Sequence, residues 1–206
     1  MGRQALLVLD LINELVHPDG HYAHVCLQQV QQRGVVARAA EAVRSARAAG
    51  IPVLHVVLGY SPGYLDWPYG SPLFGEPDPE HRLTIGTWGT RVHAELEPLP
   101  GEPVVTKRRV SPFHGTHLEL LLRGLDVDTL LLVGVTTDLV VLSTSREAHD
   151  RGYRTVVLTD ATATQTEQLQ RAAELVLART SELSTVAVAL PPVQAPAAAQ
   201  VPAAAG

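Results

Sequence analysis

Thr129-Leu130-Leu131-Leu132-Val133-Gly134-Val135 runs without a break into Thr136-Thr137-Asp138-Leu139-Val140. The first stretch is continuously apolar rather than alternating, the pattern of a strand buried on both faces. The second is a polar turn leading into Leu139–Arg151, which has helical spacing. A strand that hands over directly to a helix is half of a β-α-β unit. Working outward, similar apolar runs occur at Ala5–Leu9, Pro52–Leu58, Pro103–Thr106, Thr155–Thr159 and Thr185–Leu190. Helical patterns fall between them at Val30–Ala49, Thr116–Arg123 and Thr164–Thr180. Alternating strands and helices imply right-handed parallel crossovers. The expected fold class is α/β: a single-domain, Rossmann-like three-layer α/β/α sandwich around a central, mostly parallel six-stranded sheet. The domain is expected to span residues 1–190. Pro191–Gly206 consists of Pro, Ala, Gln, Val and Gly without a charge and reads as a disordered tail.

The bulk composition narrows the function classes. The chain has 206 residues, 46% of them apolar, enough for one sizeable core. The net charge of −5 is spread along the chain, with no basic run to hold nucleic acid and no acidic block. Cys26 is the lone cysteine, which excludes an internal disulfide and a multi-cysteine zinc site. The first apolar run ends too soon for a signal peptide, and no run reaches membrane-spanning length. The expectation is a cytoplasmic protein with a small-molecule partner, no nucleic acid and no membrane.

Open parallel sheets bind ligands beyond the carboxyl ends of their strands. That rule singles out Asp10, which ends the first run, and Lys107, which ends Val104-Val105-Thr106. A carboxylate at a strand end can transfer protons, although it also commonly caps the next helix. Lys107 is the sole lysine among many arginines. A lysine in a cleft can hold a substrate anion, although in a basic turn it is more often simply solvated. The turn at Thr136–Leu139 could present unpaired N–H groups to an anion, or Thr137 or Asp138 could merely cap a helix. The long segment Gly59–Gly89 carries Tyr60, Tyr64, Trp67, Tyr69, Phe74 and Trp88, which argues for an ordered loop that forms a pocket. His17, His21 and His24 cluster, but Pro18 and Gly20 suit a loop better than a metal-binding face. Neither a metal nor another cofactor is expected.

Three segments together resemble the isochorismatase-like hydrolases, also called cysteine hydrolases. Ala5-Leu6-Leu7-Val8-Leu9-Asp10-Leu11-Ile12-Asn13 is similar to the family's first strand and catalytic aspartate. Val105-Thr106-Lys107-Arg108-Arg109-Val110-Ser111-Pro112-Phe113-His114-Gly115-Thr116 resembles its lysine motif. Gly134–Ala148 resembles its nucleophile segment. The resemblance implies catalytic roles for Asp10 and Lys107, and a cis peptide between Val135 and Thr136. It also implies a homo-oligomer, either dimer or tetramer. Residues beside these motifs and on the aromatic loop become candidates for substrate contact: Asn13, Tyr60, Trp88, Phe113, Thr136, Thr137, Leu139 and Val140.

One departure governs the chemistry. Family members that act on amides have a cysteine where this chain has Val140, and valine has no nucleophilic atom. Leu65-Asp66-Trp67-Pro68 also lacks the histidines of the metal cluster found in nicotinamidases. Isochorismatases proper hydrolyse a vinyl ether by protonating it from the aspartate, and water captures the resulting cation. The expected function is therefore cofactor-independent, noncovalent hydrolysis. The competing reading is a degenerate family member that serves as a binding or scaffold protein.

The tail has little to bury. A chain truncated after Leu190 is expected to melt within a degree or two of the full chain, as read by calorimetry. A loss of many degrees would mean that Pro191–Gly206 docks on the domain.

Overall fold

A computed structural model describes residues 3–77 and 80–190; the expected tail lies outside the described residues. Six strands form one sheet: β1 (Gln4–Leu9), β2 (Val53–Leu58), β3 (Val104–Lys107), β4 (Thr129–Val135), β5 (Arg154–Ala163) and β6 (Glu182–Ser184). Their order is β3-β2-β1-β4-β5-β6, and every pairing is parallel. From β1 the chain adds strands first on one side and then, from β4, on the other. The β1/β4 seam is therefore the topological switch point, where loops diverge and leave a crevice.

The helices are α1 (Asn13–Val16), α2 (Leu27–Arg33), α3 (Val35–Ala48), α4 (Leu118–Gly124), α5 (Leu142–Asp150), α6 (Glu167–Leu177) and α7 (Val186–Ala189). Side chains alternate across a strand, so β1 feeds both faces. Leu6 and Val8 pack with Ala39, Val43 and Ala46 of α3. Ala5, Leu7 and Leu9 pack with Leu118 and Leu122 of α4, Ala148 of α5 and Leu177 of α6. Two apolar layers with the sheet between them make the three-layer sandwich. A third cluster of Ile12, Val57, Tyr60, Tyr64, Trp67 and Leu83 lies at the carboxyl end, under the loop that follows β2. Among the described residues no helix is long and apolar enough to cross a membrane.

The structure corrects several element boundaries. Thr185–Leu190 is not a strand: Val186–Ala189 is helical, and the sixth strand is the preceding Glu182–Ser184. An edge strand pairs on one side only, so Glu182 and Leu183 can stay exposed and lack the apolar signature. The Val–Ala alternation instead supplies Val186 and Leu190 to the core beside α3. The expected helix Val30–Ala49 is two helices, because Gly34 at φ 63° ends α2 in the left-handed conformation open to glycine. The fifth strand extends to Ala163, and its register with β4 shifts between Leu132 and Gly134.

Gly134 pairs with Leu9 across the seam, where the two backbones come close. A Cβ on Gly134 would lie 2.0 Å from the Leu9 carbonyl oxygen, and the residue has φ 128°. Gly134→Ala is therefore expected to cost about 3 kcal/mol or more, from strain and steric overlap together. Gly124→Ala, at the end of α4 with open space around it, should be neutral or mildly stabilising. Urea unfolding of the two variants provides the check. Equal stability would mean that the strands can separate freely at this point.

Candidate active site

Asp10 is the first residue beyond β1, and its N–H donates to the Val56 carbonyl at 2.9 Å. Its φ of 52° turns the chain sharply as it leaves the sheet, a conformation that aspartate tolerates better than most residues. Lys107 ends β3, two strands away. Neighbouring strands are about 4.8 Å apart, so only a long side chain can cross β2 to reach the carboxylate. Lys107 does so, with Nζ 2.7 Å from Asp10 Oδ2, and both residues are 1% exposed. Nζ also donates to the Arg109 carbonyl at 3.1 Å. The turn after β3 is itself pinned: Arg109 donates to the Asp66 carbonyl at 2.9 Å, and Arg108 pairs with the Asp66 carboxylate.

Burial raises the Asp10 carboxyl above the ordinary carboxylate range. The Lys107 ammonium and the Leu58 backbone oppose that shift without cancelling it. Desolvation thus outweighs attraction, and the site favours a carboxyl that can carry a proton.

The opposite wall comes from the end of β4. The Val135–Thr136 peptide is cis. The chain then makes a single wide turn over Thr137–Val141 before α5, and the N–H groups of Val140 and Val141 both donate to the Thr136 carbonyl. Asp10, Lys107, Thr136, Leu139 and Val140 all line one cavity of about 150 Å³. Leu58 and Val135 add to its floor, and Tyr22, Trp67, Leu73 and Phe74 close it from above. This volume is comparable to cavities that hold benzene. A wider vestibule of about 630 Å³ shares Leu73, Phe74 and Val110 with it and is lined by Arg109, Ser111, His114 and Arg146.

The remaining candidates lie elsewhere. Thr137 is fully buried and donates to Gln170 Oε1 at 2.7 Å, tying the turn to α6. Phe113 packs beside Tyr153 with the Arg151 guanidinium over its ring, so it belongs to the core. Tyr60 sits in a second layer, its ring 4.5 Å from that of Trp67. Asn13 and Trp88 line a separate groove, where Asn13 Nδ2 donates to the Trp88 carbonyl at 3.0 Å. Sequence reasoning did not single out Tyr22, which reaches the cavity from the short turn His21–Val25. Its only signal is an aromatic two residues after Gly20 in a histidine-rich stretch.

Cys26 does not line the cavity. It is buried with Sγ 3.7 Å from the Leu15 carbonyl, and burial, followed by the charge of Asp138, pushes its pKa up to about 12. Such a thiol is not a thiolate near neutral pH. Among the described residues no group of three or more His, Cys, Asp or Glu is placed to hold a metal ion.

The comparisons with known proteins agree with the fold. Residues 4–188 match the isochorismatase domain family, and the chain belongs to that family of hydrolases. The ureidoacrylate amidohydrolase RutB of Methylobacterium radiotolerans is 36% identical over 181 residues, covering 82% of this chain and 70% of that protein. An isochorismatase family protein from Desulfovibrio vulgaris superposes with a TM-score of 0.79 at 29% identity, over 92% of this chain and 97% of that one. N-carbamoylsarcosine amidase from Thermoplasma acidophilum superposes with a TM-score of 0.69 at 27% identity, over 89% and 96%.

Removing one member of a buried ion pair strands the other. Lys107→Met is expected to lose about 3 kcal/mol at neutral pH, because Asp10 must then be either a lone charge or a protonated acid. Without the ammonium, the carboxyl pKa rises further. A raised carboxyl favours the folded state below the unfolded value of about 3.9 and loses that contribution as pH rises through the folded value. The deficit of the variant should therefore shrink between pH 7 and pH 5. Urea titrations at both values test this, and a deficit that grows on acidification would contradict it.

Proposed function

We propose that this chain hydrolyses a small substrate without forming a covalent bond to it, using Asp10 as the proton-transferring group. The observation that carries the reading is a carboxyl raised by burial in a small, mostly apolar cavity whose Val140 wall offers no nucleophile. Acid-initiated hydrolysis suits such a site, and a vinyl ether is the substrate class that fits best. Asp10 would protonate the alkene carbon to give an oxocarbenium ion. Water would then add to that ion, and the hemiketal would fall apart to a carbonyl compound and an alcohol. Lys107 would hold Asp10 in place and stabilise it as a carboxylate after it has given up its proton. The inner cavity would take the reacting group. The vestibule, with Arg109 and Arg146 set against the single carboxylate of Glu147, would take the rest, and the excess of guanidinium groups there favours a substrate bearing a carboxylate.

The names of the relatives point to ureido and carbamoyl compounds. Water could attack those as well, with Asp10 as base. A carboxyl held above its ordinary range is better suited to begin by giving a proton, which favours the vinyl ether.

Isochorismate, ureidoacrylate, N-carbamoylsarcosine and nicotinamide form the diagnostic panel. Turnover of isochorismate is expected, with kcat/KM falling as pH rises through the Asp10 pKa. Asp10→Asn should reduce the rate about 10²–10⁴-fold while affecting KM less. Cys26→Ala should retain full activity. Near-full activity in the Asn variant would exclude Asp10 as the acid. Binding of a panel compound without turnover by the wild-type chain would favour the binding-protein reading instead.

A further inference from the structure

Glutamine is rarely sealed inside a protein unless its amide is satisfied. Gln170 of α6 is 1% exposed, and its amide is engaged on both sides. Oε1 accepts from the Thr137 hydroxyl at 2.7 Å. Nε2 donates to Thr162 Oγ1 at 3.2 Å and to Glu174 Oε1 at 2.7 Å. These partners leave the amide one orientation. Turned over, it would set its oxygen against the Glu174 carboxylate, acceptor against acceptor. The Thr137 hydroxyl is therefore the donor in its bond to Gln170.

The same bonds reach the framework of the sheet. Thr162 lies in β5 and pairs with Gly134, the β4 residue that faces Leu9 across the seam. Arg33 of α2 holds the same stretch of β5, donating to the carbonyls of Thr159 at 2.8 Å and Thr162 at 3.0 Å. Arg33 also lies 3.7 Å from Glu174 Oε1. α2, β5 and α6 thus meet around one buried amide, whose remaining bond goes to the turn after β4.

That turn carries a wall of the site. Thr136, Leu139 and Val140 line the inner cavity, while Thr137 points the other way, toward α6. A single turn has few bonds of its own, so its placement relies on ties from outside. Among the described residues, its side chains send two hydrogen bonds to other elements: Thr137 to Gln170, and Asp138 with Thr164. Only the first continues into the network that joins α2, β5 and α6.

We infer that Gln170 is a positioning residue for the site: it fixes the turn after β4 against the sheet and so sets where the Leu139 and Val140 wall stands relative to Asp10. Gln170 lies behind that wall and does not line the cavity. Its hold on the turn stands on the hydrogen bonds alone, while its effect on turnover rests on the reading of the site given above. A wall displaced by about 1 Å would let the reacting group lie off line from the carboxyl, and a misplacement of that size can cost on the order of 10²-fold in rate.

Gln170→Leu keeps the bulk and removes the amide. Thr137→Val removes only the tie to the turn, and Thr137→Ser keeps it. Hydrogen exchange of the unliganded full chain reads the turn through the Val140 and Val141 amides, which both donate to the Thr136 carbonyl. The Leu6 amide, bonded to the Pro52 carbonyl, is the reference for the sheet. Relative to Leu6, exchange at Val140 and Val141 should speed up about 10–100-fold in Gln170→Leu and in Thr137→Val. In Thr137→Ser it should stay within a few-fold of wild type. The double variant Gln170→Leu with Thr137→Val should be no faster than the faster single one, because both break the same tie. With isochorismate as the probe, kcat of Thr137→Val should fall about 10–100-fold with KM changing only a few-fold. The pH at which activity declines should not move, because the Lys107 and Leu58 contacts of Asp10 are untouched.

Unchanged exchange at Val140 and Val141 would overturn the inference. So would an equal acceleration at Leu6, which would make Gln170 a general support of the core, or single effects that multiply in the double variant. Should Gln170→Leu fail to fold, the contrast between Thr137→Val and Thr137→Ser decides. An active wild type with full kcat in Thr137→Val would remove the role in turnover. A wild type that does not turn over isochorismate would sink the vinyl-ether reading, and the exchange rates would still decide the positioning.

Discussion

The contact between Asp10 and Lys107 is the constraint on which the rest of the site depends. Two charged groups, each 1% exposed and 2.7 Å apart, are costly to bury and tolerable only in good geometry. That geometry needs three strands in fixed register. β1 brings the aspartate and β3 brings the lysine, while β2 lies between them as the surface the lysine crosses. It also needs the turn after β3 to stay fixed, which the Arg108 and Arg109 contacts with Asp66 achieve from the aromatic loop. The loop therefore does more than cover the cavity: it holds the peptide whose carbonyl receives the lysine.

The same burial that endangers the pair gives it chemical meaning. In water, a carboxyl group beside an ammonium would be the stronger acid for it. Here desolvation outweighs the ammonium, and the carboxyl moves in the other direction. A structural ion pair elsewhere in the molecule shows the contrast. Glu102 meets Arg47 at 2.8 Å and His55 at 3.2 Å nearer the surface, and its carboxyl is drawn down to about 2. Burial raises both carboxyls, but it prevails at Asp10 and is overcome at the less buried Glu102 by hydrogen bonds from Arg47, the Leu99 N–H and His55.

The fold was legible where burial is uniform and blurred where it is not. β1, β2 and β4 are nearly continuous apolar runs because helices cover both faces. β6 is an edge strand with exposed residues, so its sequence gives no such run, and the apolar stretch beside it belongs to a helix. Asp10 could be singled out by position, at the end of a strand beside the switch point, whereas Lys107 ends the edge strand in a basic turn and stood out only through the family resemblance. Thr136, Leu139 and Val140 could be found because the turn that carries them opens onto the same end. Phe113 and Thr137 lie in those same motifs, yet their side chains point into the core and toward α6. That direction is set by tertiary packing, which local sequence does not encode. Tyr22 went unrecognised for a related reason: it lies outside every motif and reaches the cavity only through folding.

Lys107 is the chain's sole lysine and is almost wholly buried. Its ε-amine is therefore the only one in the protein, and the folded state shields it. Reagents that acylate amines have a single side-chain target, reachable only when the loop lifts or the domain opens. The rate of that labelling, read on the peptide that contains residue 107, measures how often the pocket opens, with no added probe and no need to know what the pocket binds.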